Sequence, residues 1–231
     1  MRILQVCHKS PFPPSEGGPM AMKAIRDGLL NAGHQVHTFT LSTPKFTVNE
    51  ALASQISHFT HSFLDTSVYL WPAFRDLCLN RSHHVTRFYN RIIAEQLQQL
   101  LAKSAFDAVL IESIFMMPYF GLMRKTFSGP IILRSHNVEH LIWQRVAANE
   151  KNILKKKYLN ILAKQLKRFE INCFLQADAI AAISNIDADS IRKLAPDADV
   201  ETIPFAVELK SKQPAQKVFE SRFGHIGSMD W

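Results

Sequence analysis

The chain has 231 residues, of which 47% are hydrophobic and 20% are charged, and this composition excludes disorder over most of its length. A formal charge of +7 favours contact with anions, whether phosphates, nucleic acid or an acidic membrane surface, without choosing among them. The three cysteines are far apart and form no C-x-x-C pair, so we expect neither a disulfide framework nor a zinc site. We therefore expect the protein to work in a reducing compartment.

The first residues form an apolar stretch that is too short for a signal peptide and reads as a strand. No apolar run approaches the roughly 18 residues that cross a bilayer. The longest, residues 111–123, contains Glu112, Pro118 and Gly121. We therefore expect a cytoplasmic protein, at most peripheral at the inner face of a membrane.

Short apolar segments rich in β-branched residues recur along the chain and predict strands. Several are continuously apolar, which is typical of strands covered on both faces. Segments with helical spacing lie between them, so we predict an α/β fold: a Rossmann-like, doubly wound, mostly parallel sheet. The predicted strands are residues 3–7, 36–41, 59–68, 108–111, 131–133, 179–183 and 200–203.

Three segments show clear helical spacing. The first, residues 20–32, is followed by Gly33, a common residue at helix C-termini. The others are residues 85–101 and 149–175. The side chains predicted to face inward are Met22, Ile25, Leu29 and Leu30 in the first helix, Phe88, Ile92, Leu97 and Leu101 in the second, and Leu154, Tyr158, Leu162, Leu166, Phe169 and Cys173 in the third.

The third helix carries a basic face opposite its apolar stripe. This face is either a solvated outer surface or a contact with an anionic membrane. Its residues are Lys156, Lys157, Lys164, Lys167 and Arg168.

Ser184 follows a predicted strand, and Asp187 stands three residues later. This spacing is close to a capping box, which accounts for Ser184 as a helix cap. No G-x-S-x-G elbow surrounds the serine, so a nucleophilic role is not expected.

The composition changes after Pro204. We predict an N-terminal Rossmann-like domain over residues 1–207 and a polar interdomain linker over residues 208–222. Residues 223–231 return to a strand-like pattern. We interpret them as the first strand of a truncated C-terminal domain, because an isolated strand is not stable.

The loop after the first strand carries Gly17 and Gly18 just before a predicted helix. Glycines allow a ligand to approach the backbone, and amides at a helix N-terminus favour a diphosphate. The alternative is a flexible turn. The loop matches neither G-x-G-x-x-G nor a P-loop, so a nicotinamide site or an ATP-type site is unsupported.

A second polar loop, with His136, Asn137 and Glu139, follows the strand predicted at 131–133. Ligands bind at such strand ends in open α/β sheets, and the same argument makes Glu112 a candidate to contact an acceptor. His136 and His140 have the i, i+4 spacing of a metal pair, but H-E-x-x-H and a third ligand are lacking, so no metal is expected. We expect the other paired histidines at the surface: His58, His61, His83 and His84.

In order and spacing, these motifs resemble the N-terminal half of GT-B glycosyltransferases of family 4. The likeness covers nearly the whole chain and is weakest over residues 45–103. It is carried by the first strand, Gly17-Gly18, residues 29–36 (LLNAGHQV), 134–139 (RSHNVE), 181–184 (AAIS) and 203–207 (IPFAV), with 223–231 resembling the first strand of the donor-binding domain.

The resemblance implies retaining transfer of a sugar from a nucleotide-sugar to a glycan or lipid-linked acceptor, without a metal or other cofactor. It places the donor diphosphate at Gly17 and Gly18 and gives a catalytic role near the donor sugar to His136. Asn137 and Glu139 are then cleft residues. The family's principal donor site lies in the second domain, so this chain alone is expected to be inactive. A role in cell-surface polysaccharide synthesis follows as an expectation.

Two alternatives remain open from the sequence. A nucleotide-sugar epimerase would use the same two-domain fold without an acceptor. A non-enzymatic domain that binds anions or nucleic acid is permitted by the charge. The basic residues are not interleaved with stacking aromatics and no recognised module is present, so no nucleic-acid partner is expected.

Overall fold

Seven parallel strands form the centre of the fold in the computed structural model, which describes residues 1–205. The strand order is β3-β2-β1-β4-β5-β6-β7, the arrangement of a doubly wound sheet. The strands are β1 (Arg2–Cys7), β2 (Gln35–Ser42), β3 (Phe59–Phe63), β4 (Ala108–Glu112), β5 (Ile131–Ser135), β6 (Ala179–Ala182) and β7 (Val200–Thr202).

The central strands are buried along almost their whole length. All five residues of β4 and the last five of β1 are buried, because helices cover both faces of the sheet. This burial explains the continuously apolar segments in the sequence and confirms the predicted strands. The third strand is shorter than predicted. It lies at the edge of the sheet, and none of its five residues is fully buried.

Nine α-helices and one 3₁₀ helix (Ile114–Tyr119) connect the strands within residues 1–205. The α-helices are α1 (Gly17–Asn31), α2 (Glu50–Ala53), α3 (Leu70–Cys78), α4 (His83–Thr86), α5 (Arg91–Lys103), α6 (Phe120–Thr126), α7 (Glu139–Asn149), α8 (Ile153–Gln176) and α9 (Asn185–Leu194).

Helix α1 begins at Gly17, three residues before the predicted start, and ends just ahead of Gly33, whose φ is +80°. Glycine adopts this left-handed conformation without steric cost, so the predicted C-terminus is confirmed. The inward face differs from the prediction. Leu30 is 37% exposed, whereas Arg26 is buried because Thr38 and the Ser57 carbonyl accept hydrogen bonds from its guanidinium.

The prediction of a single helix over residues 85–101 is wrong. Asn90 separates α4 from α5, because its side-chain oxygen accepts hydrogen bonds from the Ile92 and Ile93 amides at 2.8 and 3.4 Å. The helix therefore restarts at Arg91. Ile92 falls on the outer face and is 66% exposed, although it was expected inside.

The long predicted helix starts four residues late. Asn152 accepts hydrogen bonds from the Leu154 and Lys155 amides and caps α8, which leaves residues 150–152 as a break after α7. Leu154 and Tyr158 are 78% and 40% exposed, which corrects the predicted stripe. No buried residue of α8 precedes Leu159, so the first turns of this helix extend past the core.

Helix α9 starts as predicted. The Ser184 side-chain oxygen accepts a hydrogen bond from the Asp187 amide at 3.1 Å, and its hydroxyl donates to the Asp187 carboxylate at 2.5 Å. The Asp187 amide and the Ser184 hydroxyl at the helix N-terminus therefore both have a hydrogen-bond partner. Ser184 is a cap, as the sequence indicated.

A fully buried carboxylate joins α7 to α8. Glu170 of α8 accepts hydrogen bonds from the backbone amides of Glu139 and His140 at 2.7 and 2.8 Å, and from the His140 ring at 2.6 Å. His140 is only 1% exposed. The N-terminus of α7 is therefore already occupied by an anion from within the chain.

The predicted linker, residues 208–222, and the predicted terminal strand, residues 223–231, lie outside the described residues, as do the last two residues of the predicted first domain. Of the helices in residues 1–205, none is long and apolar enough to cross a membrane.

Replacing Glu170 with Ala should destabilise the fold by about 3 kcal/mol or more, because the buried His140 ring and two amides lose their acceptor. Urea unfolding measures the loss. Glu95→Ala is the matched control: it breaks the exposed pair with Arg91 and should cost under about 0.5 kcal/mol. Equal losses in the two variants would contradict this account of the α7–α8 junction.

Candidate functional site

The site lies where the strand order reverses. Strand β1 pairs with β2 on one side and with β4 on the other, and at such a switch point the carboxyl ends of the strands border a crevice. His8 follows β1, Glu112 ends β4, and His136 follows β5. The fold therefore brings together three titratable side chains from three separate parts of the chain.

Glu112 is fully buried beneath His136. One carboxylate oxygen accepts a hydrogen bond from the Gln5 amide group at 2.8 Å, and the other lies 2.6 Å from Nε2 of His136. A carboxylate only accepts, so Nε2 of His136 carries a proton, and Nδ1 is the ring nitrogen left for a ligand. Glu112 has no exposed surface. This corrects the expectation that it contacts an acceptor: it positions His136 instead.

A chain of buried polar groups fixes Gln5 in turn. The Gln5 side chain donates to the Met22 carbonyl at 2.9 Å and accepts from the Thr38 hydroxyl at 3.1 Å. The Thr38 hydroxyl accepts from Arg26 at 3.2 Å. Such a network is rigid when its members are paired, so β1, β2 and α1 together hold Glu112 in place. No local sequence pattern pointed to Gln5 or Arg26.

His8 is a member of the site that the sequence analysis passed over. Its Nδ1 lies 3.1 Å from the Glu112 carbonyl oxygen, and its ring packs against Phe115 at a centroid distance of 5.5 Å. Burial, together with the smaller effects of the charges of His136 and Lys9, lowers the pKa of His8 to about 3. The neutral ring donates through Nδ1 and keeps a lone pair on Nε2. Its position directly after β1 was the available signal.

The glycine pair faces open space at the N-terminus of α1. A Cβ added to Gly17 would meet nothing within 4 Å, and one added to Gly18 would meet the end of the Lys9 side chain at 2.9 Å. Glu16 provides no side-chain cap, and neither glycine amide donates a hydrogen bond to another of the described residues. These amides can therefore receive an anion. Diphosphate binding itself stays a prediction.

Lys9 adds a positive charge beside the same helix N-terminus. Its ammonium lies 3.3 Å from the Glu16 carboxylate and 4.5 Å from the centre of the Phe46 ring. The end of the Lys9 side chain also lies close to Gly18, at 2.9 Å from the position that a Cβ on this residue would have. Lys9 was not singled out from the sequence, because a lysine in a loop carries no pattern of its own.

Asn137 and Glu139 follow His136 closely, between the end of β5 and the first residue of α7. The Asn137 side chain is exposed and donates a hydrogen bond to the Glu139 carboxylate at 3.3 Å. Burial raises the pKa of Glu139, while the Asn137 hydrogen bond and the charges of His136 and Lys9 oppose that rise. Glu139 is therefore near His136 and Lys9, and its role as a cleft residue stays a prediction.

His140, His83 and His84 are held by contacts within the fold. His140 binds Glu170 and is separated from His136, which binds Glu112, so the two do not form a metal pair. The expectation that His83 and His84 lie at the surface is wrong: Nδ1 of His83 is 2.8 Å from Asp76, and the His84 ring is 4.0 Å from that of Trp143. Across residues 1–205 no three potential metal ligands come together.

Residues 17–211 match Glycosyltransferase Family 4, and the chain belongs to this family. No curated protein sequence matches it. Similar solved structures include sucrose-phosphate synthase from Thermosynechococcus elongatus, at 13% identity and a TM-score of 0.58 over 88% of this chain and 48% of that one. The lipopolysaccharide outer core galactosyltransferase WaaB follows at 14% and 0.50, covering 91% and 47%.

A third similar structure is Phytolacca americana UGT2 complexed with UDP-2-fluoro-glucose and pterostilbene, at 11% identity and a TM-score of 0.51, covering 92% of this chain and 55% of that one. The chain spans about half the length of these relatives. At such low identities the likeness concerns the fold, and it confirms the predicted Rossmann-like, mostly parallel sheet.

Folding stability should fall more steeply with acidification in the native chain than in a His8→Asn variant. The unfolded His8 takes up a proton near pH 6.5, whereas the folded ring does so only near pH 3, so protons favour unfolding between these values. Between pH 7.5 and 5 the extra loss should reach about 2 kcal/mol at most. Urea unfolding at both pH values measures it, and His84 contributes equally to both proteins. An equal loss would show that His8 titrates normally.

Proposed function

We propose that this chain is the N-terminal, acceptor-side half of a retaining glycosyltransferase, which transfers a sugar from a nucleotide-sugar to a glycan or lipid-linked acceptor. The observation that carries the proposal is the uncapped N-terminus of α1 beside the Glu112–His136 pair at one end of the sheet. Cell-surface polysaccharide synthesis in the cytoplasm, at the inner face of the membrane, is the setting we propose.

The donor diphosphate is proposed to bind at Gly17 and Gly18. Two free amides, the positive end of the α1 dipole and the Lys9 ammonium all favour an anion there. Charge neutralisation by these groups needs neither a metal nor another cofactor. The similar Phytolacca americana enzyme is complexed with UDP-2-fluoro-glucose, which supports a nucleotide-sugar as the class of donor.

His136 is proposed to contact the donor beside its reacting carbon. Glu112 fixes the ring from below, so the remaining ring nitrogen is oriented without loss of side-chain freedom when substrate binds. A hydrogen bond between this nitrogen and a sugar hydroxyl would hold the donor sugar in place as the sugar–phosphate bond breaks.

The acceptor is proposed to enter a cavity of about 360 Å³ beside His8. Phe88 and Phe115 line this cavity together with Lys45 and Phe46. Such a mixture of aromatic and polar groups suits a small organic ligand. The lone pair on Nε2 of His8 is available to accept a hydrogen bond from an acceptor hydroxyl.

Product stereochemistry tests the proposed retention. A product with the same anomeric configuration as the donor supports it, and the opposite configuration would assign His8 as a general base for direct displacement.

Peripheral membrane contact is proposed through the outer face of α8. Its first turn exposes Ile153 and Leu154, at 70% and 78%, close to a run of lysines. Apolar side chains beside positive charges suit the surface of an anionic bilayer. The charged residues expected on this face are Lys156, Lys157, Lys164, Lys167 and Arg168, of which Arg168 also borders a cavity described below.

Gly17→Val should abolish most turnover by the enzyme expressed from the complete reading frame, because the added side chain occupies the space proposed for the diphosphate. Nothing lies within 4 Å of the new Cβ, so the fold has room for it. Release of UDP or GDP from a panel of nucleotide-sugars, with and without acceptor, measures turnover. We expect a loss of at least about 100-fold if close contacts to the diphosphate are blocked.

The matched control for this experiment is Gly28→Val. Gly28 is an exposed glycine of the same helix with equally open space, but it lies about three turns from the N-terminus. It should retain turnover. Equal activity in both variants would reject the diphosphate assignment. Isomerisation of the nucleotide-sugar without any acceptor would favour the epimerase alternative.

Replacing Lys156, Lys157 and Lys164 with Ala should weaken binding to phosphatidylglycerol liposomes about 100-fold, since each lysine near an anionic surface contributes about 1 kcal/mol. Flotation against phosphatidylcholine liposomes provides the measurement. A control triple variant at Lys103, Lys125 and Lys193, which are exposed elsewhere, should bind like the native chain. Failure of the native chain to float with anionic liposomes would remove membrane contact from the proposal.

A further inference from the structure

Three cavities of the described chain lie next to one another around α4 and the residues that follow it. The first is the cavity beside His8, the second has a volume of about 180 Å³, and the third about 700 Å³. Adjacent cavities have lining residues in common, and we call the three together the α4 groove. The common residues are Ser67 and Arg87 between the first and second, and Arg75, Asp76 and Thr86 between the second and third.

Positive charge is distributed along the whole α4 groove. The acidic residues that line it are Asp65 and Asp76. Asp65 is exposed and accepts hydrogen bonds from Tyr69 and the Ser67 amide. The cationic residues, taken from the His8 end, are Lys9, Lys45, Arg87, Arg75, Arg81 and Arg168.

Asp76 is committed to the fold. It is 2% exposed, and one carboxylate oxygen accepts a hydrogen bond from Thr86 at 2.6 Å and lies 2.8 Å from the His83 ring. The other oxygen is 3.5 Å from the Arg75 guanidinium. Asp76 therefore holds α4 in place and leaves little negative charge to face a ligand.

Arg81 and Arg168 differ from Arg75 in having no internal partner. Both are exposed residues lining the third cavity, and neither guanidinium makes an ion pair or a hydrogen bond with any other residue in the range 1–205. A free guanidinium presents a planar fork of donors that matches a carboxylate or a phosphate. Two such forks in one cavity constitute an anion site.

The remaining walls of the third cavity suit sugar rings. Asn80, Gln165 and Asn172 supply amide groups that can both donate to and accept from hydroxyls, and Tyr89 and Phe169 supply aromatic surface.

We propose that the acceptor is an extended, negatively charged oligosaccharide that lies along the α4 groove. This inference rests on the proposed glycosyltransferase function. The end that receives the sugar lies in the cavity beside His8, and anionic groups further along the acceptor bind Arg81 and Arg168. The intervening cavity separates the two ends, so a single sugar beside His8 would leave the arginines empty. Selection of an acidic acceptor thus takes place away from the reacting atoms.

Binding of hexagalacturonate to the 231-residue chain, measured by calorimetry, tests the proposal. Maltohexaose has the same number of rings without carboxylates and should bind at least about tenfold more weakly, because charge-assisted hydrogen bonds are lost. The double variant Arg81→Ala with Arg168→Ala should show a similar loss for hexagalacturonate. Its circular dichroism should be native, since neither guanidinium has a partner within residues 1–205.

Two further variants separate specific recognition from general charge. Lys125→Ala with Lys193→Ala removes two exposed charges outside the α4 groove and should leave affinity within about twofold. Arg81→Lys with Arg168→Lys keeps the charges but loses the forks, and should bind with intermediate affinity. Equal affinity of the native chain for the two oligosaccharides would overturn the proposal. So would an equal loss of hexagalacturonate affinity when the two arginines or the two lysines are replaced with Ala.

Geranyl diphosphate is a probe for the other source of anionic groups, a lipid-linked phosphate. If it binds in a manner that depends on Arg81 and Arg168 while hexagalacturonate does not, the oligosaccharide assignment is overturned. Donor hydrolysis by the complete reading frame, assayed in parallel, separates the two proposals. Hydrolysis without groove-dependent binding rejects only the acidic acceptor. Groove-dependent binding without hydrolysis supports the groove and rejects the glycosyltransferase function.

Discussion

The buried Glu112 carboxylate is the constraint on which the site depends. A charge with no exposed surface is costly unless donors surround it, and here those donors come from Gln5 on β1 and His136 after β5. Arg134 adds a guanidinium whose Nε lies 3.7 Å away. These groups meet only because β1, β4 and β5 are adjacent in the sheet. The strand order therefore places His136 next to Glu112. Because a buried carboxylate is costly without donors, the hydrogen bond between them keeps His136 in this position.

Two helix N-termini near Glu112 differ in whether the chain itself supplies an acceptor for their backbone amides. At α7 the amides are satisfied by Glu170, an anion built into the chain. At α1 no side chain caps the helix, and Gly17 leaves space for an external anion. Helix dipoles favour negative charge equally in both places, so the difference lies in what the chain itself supplies. This contrast is the physical basis for placing the donor diphosphate at α1.

The short helix α4 connects the reacting end of the site to a more distant surface. Phe88, just after it, lines the cavity beside His8, while Val85 and Tyr89 line the cavity that contains Arg81 and Arg168. Asp76 anchors this segment through Thr86 and His83. A substitution in or near α4 can therefore leave the Glu112–His136 pair intact, so the roles proposed for the two places can be tested separately.

The sequence by itself determined the parallel sheet, the end of α1 just before Gly33 and the Ser184 cap. Each of these depends on residues close together in the chain, whose burial period or capping geometry is local. Only the tertiary structure decided that Arg26 is buried, that Leu154 is exposed, and that Glu112 lies beneath His136. Those outcomes depend on which polar groups meet across neighbouring strands and on how far the core extends along a helix, and neither is encoded in a local pattern.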